Sequence, residues 1–123
     1  MRRVVAARAG ARLALVFGSL ARGSLRRESD VDVAVDLGHP LTVDETLEVT
    51  AALALATGRA VDLVDLRTVG EPLLGQIVRH GRRILGGEAA HASLISRHLI
   101  DAADFMPIRD RLLAERRQAW IGR

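Results

Sequence analysis

The chain has 123 residues, enough for one domain around a single hydrophobic core and too few for two. The absence of cysteine excludes disulfides and thiol catalysis. No run of 18 apolar residues occurs, so we expect no membrane span, and the N-terminus lacks the apolar segment of a secretory signal. These features favour a cytoplasmic location.

All 18 basic side chains are arginines, which excludes mechanisms that need a lysine. Residues 1–27 carry seven arginines and no acid, residues 28–71 carry ten acids and two arginines, and the remainder carries nine arginines and five acids. An acidic middle between basic ends suits a metal site beside surfaces for anions. Nucleic acid is the less favoured partner, because the net charge is only +3 and aromatic residues make up 2% of the chain.

The first half of the chain alternates between helical and extended patterns. A short helix is predicted over residues 2–9, followed by a buried strand over 11–17. Residues 22–29 are polar and contain glycine, which is typical of a loop. A second strand is predicted over 31–37. A capping-box pattern then predicts a helix over 42–57.

The second half continues the alternation. A third strand is predicted over residues 60–66, then a helix over 72–80 and a short edge strand over 82–85. Helical spacing of apolar residues returns over 94–106, and a last helix follows over 108–121, after Pro107, which is expected to break or kink the chain. This order predicts an α/β or α+β fold. We divide it into a domain of residues 1–87 and a C-terminal helical extension of residues 88–123.

Two pairs of residues carry the chemistry. Gly18-Ser19 follows the first predicted strand. Asp30 directly precedes the second predicted strand, and Asp32 lies within it. Residues two apart in a strand project to the same face, so the two carboxylates can bind one divalent cation or a pair of them. Gly18 lets the backbone approach a phosphate, and Ser19 offers its hydroxyl and amide.

The segments Phe17-Gly18-Ser19, Ala21-Arg22-Gly23 and Ser29-Asp30-Val31-Asp32 resemble the signature of the nucleotidyltransferase superfamily related to DNA polymerase beta. The short chain resembles its minimal nucleotidyltransferases, over residues 11–86. The resemblance implies a small mixed sheet with helices packed against one face. It also implies transfer of a nucleoside monophosphate from a nucleoside triphosphate to an acceptor hydroxyl, with ATP as the expected donor.

The resemblance assigns roles to the motif residues. Asp30 and Asp32 would be catalytic ligands of two Mg²⁺ ions, and Gly18 and Ser19 would bind the triphosphate. Arg22 is a candidate phosphate contact, because a guanidinium suits planar oxyanions; a solvated surface arginine is the alternative.

A third carboxylate, serving as metal ligand or base, is expected on the third strand. Asp62 and Asp65 both lie in it, but three residues apart they must point to opposite faces. The segment Val61-Asp62-Leu63-Val64 after Arg59 resembles the third-strand segment of the family, so we favour Asp62 as the third catalytic and metal-binding residue.

The tail resembles extensions on family members that act as antitoxins to HEPN-domain ribonucleases. The first functional hypothesis is therefore an adenylyltransferase that modifies a HEPN toxin within a hetero-oligomer. Transfer to a small molecule or RNA is an alternative, and so is an antitoxin that acts by binding alone. The tail from Leu94 to Trp120 could dock the partner or pack on its own sheet.

Overall fold

The structure, a computed structural model, describes residues 1–18 and 30–121, apart from the side chains of residues 105–108 and 118–121. Four strands and four helices lie in this part of the chain. They are α1 (Arg2–Ala6), β1 (Leu13–Phe17), β2 (Val31–Asp36), α2 (Val43–Thr57), β3 (Val61–Asp65), α3 (Leu73–His80), β4 (Arg82–Leu85) and α4 (Glu88–Ile121).

The strands form one mixed sheet in the order β3-β2-β1-β4. β1 is antiparallel to both β2 and β4, whereas β2 and β3 run parallel. The connection from β3 to β4 passes through α3 and therefore crosses β2 and β1. The predicted α/β fold with a small mixed sheet is confirmed.

Helices cover both faces of the sheet, where the sequence predicted cover on one. On the first face the valines of β2 pack with Val49 and Leu53 of α2. On the second face Leu15 of β1 packs with Ile77 of α3 and Leu94 of α4. All five residues of β1 are buried. Because β1 therefore has no polar side, both faces of the sheet need apolar cover at this strand.

The predicted start and end of α2 are confirmed. The Thr42 hydroxyl accepts from the Glu45 amide at 3.1 Å, and the Glu45 carboxylate accepts from the Thr42 amide at 3.0 Å. Gly58 ends the helix with a φ of +68°, a left-handed conformation that favours glycine. These contacts are local in sequence, which is why the pattern could predict them.

The C-terminal segment is one helix, α4, so the break that the sequence allowed at Pro107 does not occur. Proline lacks one amide donor, but its fixed φ of about −65° is compatible with a helix, so its neighbours can keep the helical path. Arg97 anchors the first part of α4 by donating to the carbonyl oxygens of Leu66 and Val69. Within the described residues, no helix combines the length and apolar character that a membrane span requires.

Candidate active site

Gly18 and Asp32 are in direct contact at one end of the sheet. Gly18 follows β1 directly, and its neighbour Phe17 is the register partner of Asp32 on β2. The φ of Gly18 is +70°, and a Cβ at this position would overlap with Oδ2 of Asp32 and lie 3.2 Å from its Cγ. Only glycine combines this backbone conformation with room for the carboxylate.

Asp62 lies beside Asp32 on the neighbouring strand. The two residues are register partners in the parallel pair of β2 and β3, so they project from the same face about 4.8 Å apart. Asp62 is exposed, as is Asp30, which immediately precedes β2. Asp30 lies just outside β2, two residues before Asp32 in the chain. The carboxylates of Asp32 and Asp62 therefore belong to one face at one end of the sheet, with Asp30 next to them in sequence.

Asp65 has a different environment. Its register partner is Val35, which packs on the α2 face. The Asp65 carboxylate accepts from the Leu41 amide at 2.9 Å and from the Arg67 amide at 2.9 Å. Both carboxylate oxygens of Asp65 are therefore hydrogen-bonded to loop amides. Asp65 lies on the face of the sheet opposite to Asp32 and Asp62.

The described residues contain no group of three or more histidine, cysteine, aspartate or glutamate side chains placed to hold a metal ion. Mg²⁺ commonly binds through one or two carboxylates, several waters and the phosphates of a substrate. The hard oxygen donors of Asp30, Asp32 and Asp62 fit such an ion. These carboxylates suit an ion whose remaining ligands come from a nucleotide and water better than an ion that is coordinated by protein side chains alone.

A cavity of about 150 Å³ lies against this end of the sheet, and Phe17, Gly18, Asp32, Gln76 and His80 line it. Sequence patterns predict no role for Gln76 or His80 in the site. Their spacing of four residues places them on one side of α3, but only the tertiary packing of α3 brings that side to Gly18 and Asp32. The pair could not be distinguished in the sequence from two ordinary surface residues.

Two of the predicted nucleotide-binding residues, Ser19 and Arg22, lie outside the described residues. Gly18 is the last described position before them. His98, which has the helical spacing of the apolar residues of α4, is largely buried and lies 2.5 Å from the carboxylate of Glu71, measured from Nδ1 to Oε1. That contact is a packing interaction between α4 and the start of α3, away from the cavity.

Residues 3–89 match the family described as Polymerase beta, Nucleotidyltransferase. Protein adenylyltransferase MntA of Shewanella oneidensis is 38% identical over 74 residues, which are 60% of this chain and 53% of MntA. The match thus spans about half the length of that curated relative.

Two solved structures are similar over most of the chain. A crystal structure of a toxin-antitoxin with AMP-PNP has a TM-score of 0.74 at 28% identity, covering 90% of this chain and 94% of the other. A structure of the tri-AMPylated Shewanella oneidensis HEPN toxin in complex with MNT antitoxin has a TM-score of 0.65 at 27% identity, covering 92% of this chain and 89% of the other. Because the family match includes well over half of its residues, this chain belongs to the polymerase beta nucleotidyltransferase family.

Proposed function

We propose that the chain is a metal-dependent nucleotidyltransferase that transfers AMP from ATP to a hydroxyl of a HEPN ribonuclease toxin and so acts as its antitoxin. The observation that carries the proposal is the register pairing of Asp32 with Asp62, beside the contact of Asp32 with Gly18. The relatives support the acceptor class, because one is named a protein adenylyltransferase and another structure contains an AMPylated HEPN toxin.

In this proposal Asp30, Asp32 and Asp62 hold Mg²⁺. When bound, the metal neutralises the triphosphate and lowers the pKa of the acceptor hydroxyl. Gly18 and Ser19 hold the phosphates through backbone amides and the serine hydroxyl, with Arg22 as a further phosphate contact.

The chemical step is a substitution at phosphorus. The acceptor oxygen forms a bond to the α-phosphorus, and the bond from that phosphorus to the bridging oxygen of pyrophosphate breaks. Pyrophosphate leaves, and the proton of the hydroxyl passes to a carboxylate of the site.

The cavity of about 150 Å³ beside Gly18 and Asp32 is one part of the proposed nucleotide site, and in this proposal the acceptor hydroxyl approaches from outside it. We propose that residues 88–123, the extension beyond the catalytic domain of residues 1–87, dock this partner. Large apolar side chains are exposed on α4, namely Ile95, Leu99, Ile100, Leu112 and Leu113. We place the reaction in the cytoplasm, in agreement with the absence of cysteine.

The test is transfer of label from α-³²P-ATP with Mg²⁺ to a purified HEPN ribonuclease toxin. We expect label on the HEPN protein, loss of that label with a metal chelator, and near-complete loss in Asp30→Ala and Asp32→Ala. Asp44→Ala, on the exposed first turn of α2, is the matched control and should label as the unaltered chain does.

Three results would contradict the proposal. Near-normal labelling by Asp32→Ala would remove the assigned carboxylate chemistry. Full neutralisation of the toxin without any label would favour an antitoxin that acts by binding alone. Label on added RNA or on an aminoglycoside, with none on the HEPN protein, would favour a different acceptor.

A further inference from the structure

Gln76 and His80 occupy fixed positions on the wall of the site. They lie four residues apart on α3 and line the cavity together with Gly18 and Asp32. The other side of α3 is anchored in the core, where Leu74 and Ile77 are fully buried. Both polar side chains are nevertheless exposed to solvent. The packing of α3 therefore holds two accessible polar groups over the active-site end of β1.

The strand order places these groups on the Gly18 side of Asp32, away from Asp62. Asp32 on β2 lies between Asp62 on β3 and Gly18 at the end of β1. If transfer takes place between Asp32 and Asp62, as the proposed function requires, the reacting α-phosphate lies on the β3 side. The β- and γ-phosphates then extend towards Gly18, where Gln76 and His80 line the cavity.

The chemistry of the two side chains suits phosphate oxygens. The Gln76 amide has two N–H donors, and a histidine ring has at least one. Asp32, the other polar side chain of the described lining, can only accept hydrogen bonds when ionised. The chain has no lysine to serve as a phosphate clamp. In the described lining, side-chain donors for an anion therefore come from α3.

We propose that Gln76 and His80 bind the β- and γ-phosphates of the donor nucleotide and position pyrophosphate as the leaving group. This inference rests on the proposed function and adds two residues outside the motif to its nucleotide site. The two side chains meet the part of ATP that leaves, so they contribute nothing to binding AMP.

The test measures binding of ATP, pyrophosphate and AMP separately by calorimetry, each with Mg²⁺. In Gln76→Ala and His80→Ala we expect affinity for ATP and pyrophosphate to fall about tenfold or more, because each variant loses a hydrogen bond to a charged phosphate oxygen. Affinity for AMP should not change. His80→Asn, which keeps a donor, should recover part of the loss. In transfer assays the KM for ATP should rise in the alanine variants.

His39→Ala is the matched control, because His39 pairs with Glu45 beside α2 and is absent from the cavity lining. Unaltered melting temperatures will verify that the exposed substitutions leave the fold intact. If the unaltered chain binds neither ATP nor pyrophosphate, the proposed function itself fails. If it binds both, and either the variants bind them equally well or AMP affinity falls in parallel, only the assignment of Gln76 and His80 is overturned.

Discussion

The α-carbon of Gly18 packs against the carboxylate of Asp32, so the turn that we propose to bind phosphate and the strand that we propose to bind metal are in contact. No side chain fits between them, since a Cβ on Gly18 would overlap with Oδ2 of Asp32. A nucleotide held by the Gly18 backbone therefore lies directly beside a carboxylate that can bind its metal. Because of this contact, the proposed site requires a residue without a side chain at position 18.

Substitution of Gly18 should damage both stability and activity. Gly18→Ala places an L-residue at a φ of +70° and forces its Cβ into Asp32. Gly58→Ala is the matched control, because Gly58 has a φ of +68° but no atom within 4 Å of an added Cβ. Both variants should lose about 1 kcal/mol or more of unfolding free energy through backbone strain.

Only Gly18→Ala should also lose nucleotide transfer. Urea denaturation and labelling of the HEPN protein measure the two effects separately. Equal transfer by the two alanine variants would show that the Gly18–Asp32 contact has no part in the reaction.

Asp62 and Asp65 should respond differently to the same substitution. Asp62→Asn removes a charge at an exposed position beside Asp32, so we expect transfer to fall by about 10² or more with little change in stability. Asp65→Asn disturbs the bonds to the Leu41 and Arg67 amides and should cost about 1 kcal/mol of stability while transfer continues. Transfer rates and urea midpoints of both variants decide the assignment. Equal activity in the two variants would contradict it.

The capping carboxylate of Glu45 should make stability depend on pH. The hydrogen bond from the Thr42 amide, and then the contact with His39, lower the pKa of Glu45 from its usual value. A lowered folded-state pKa means that the stabilisation is present above the unfolded-state pKa and is lost as pH falls through the folded-state pKa.

The unaltered chain should therefore lose more stability on acidification below about pH 4.5, the ordinary glutamate value, than Glu45→Gln does. Urea midpoints between pH 7 and pH 3 measure the difference. Parallel curves for the two proteins would show that this carboxylate is not linked to folding.

Much of the fold could be predicted because its signals are local. The Thr42–Glu45 capping box and the terminating Gly58 involve residues close in sequence, and the structure reproduces them. The single helix through Pro107 was missed, since a proline lowers helix stability without dictating where a helix ends. Cover on both faces of the sheet could have been expected from the wholly apolar segment Leu13–Phe17.

The candidate site was predictable where strand geometry determines it. Period-two alternation separates Asp62 from Asp65, and the structure pairs Asp62 with Asp32. Gln76 and His80 could not be predicted, because their approach to Gly18 depends on how α3 crosses from β3 to β4. No local pattern in the sequence encodes that crossing.

The contact between Glu71 and His98 should contribute strongly to the attachment of α4. Both side chains are largely buried, with exposed fractions of 7% and 11%, and they approach to 2.5 Å. The second oxygen of Glu71 accepts from the Gly75 amide at 3.1 Å, so the carboxylate joins α4 to the first turn of α3. Replacing His98 leaves a buried carboxylate oxygen without its partner. This should lower the free energy of unfolding more than the loss of an exposed contact elsewhere on α4 does.

We expect His98→Leu to lower the free energy of unfolding by about 2 kcal/mol and to speed tryptic cleavage within α4. Glu71→Gln should cost less, because a glutamine side chain can still pair with the histidine ring. His91→Leu, two turns earlier on the same helix, is the matched control. If His98→Leu were as stable and as protease-resistant as His91→Leu, the Glu71–His98 pair would not hold α4 to α3. Docking of a partner on α4 would then have to be independent of its packing on α3.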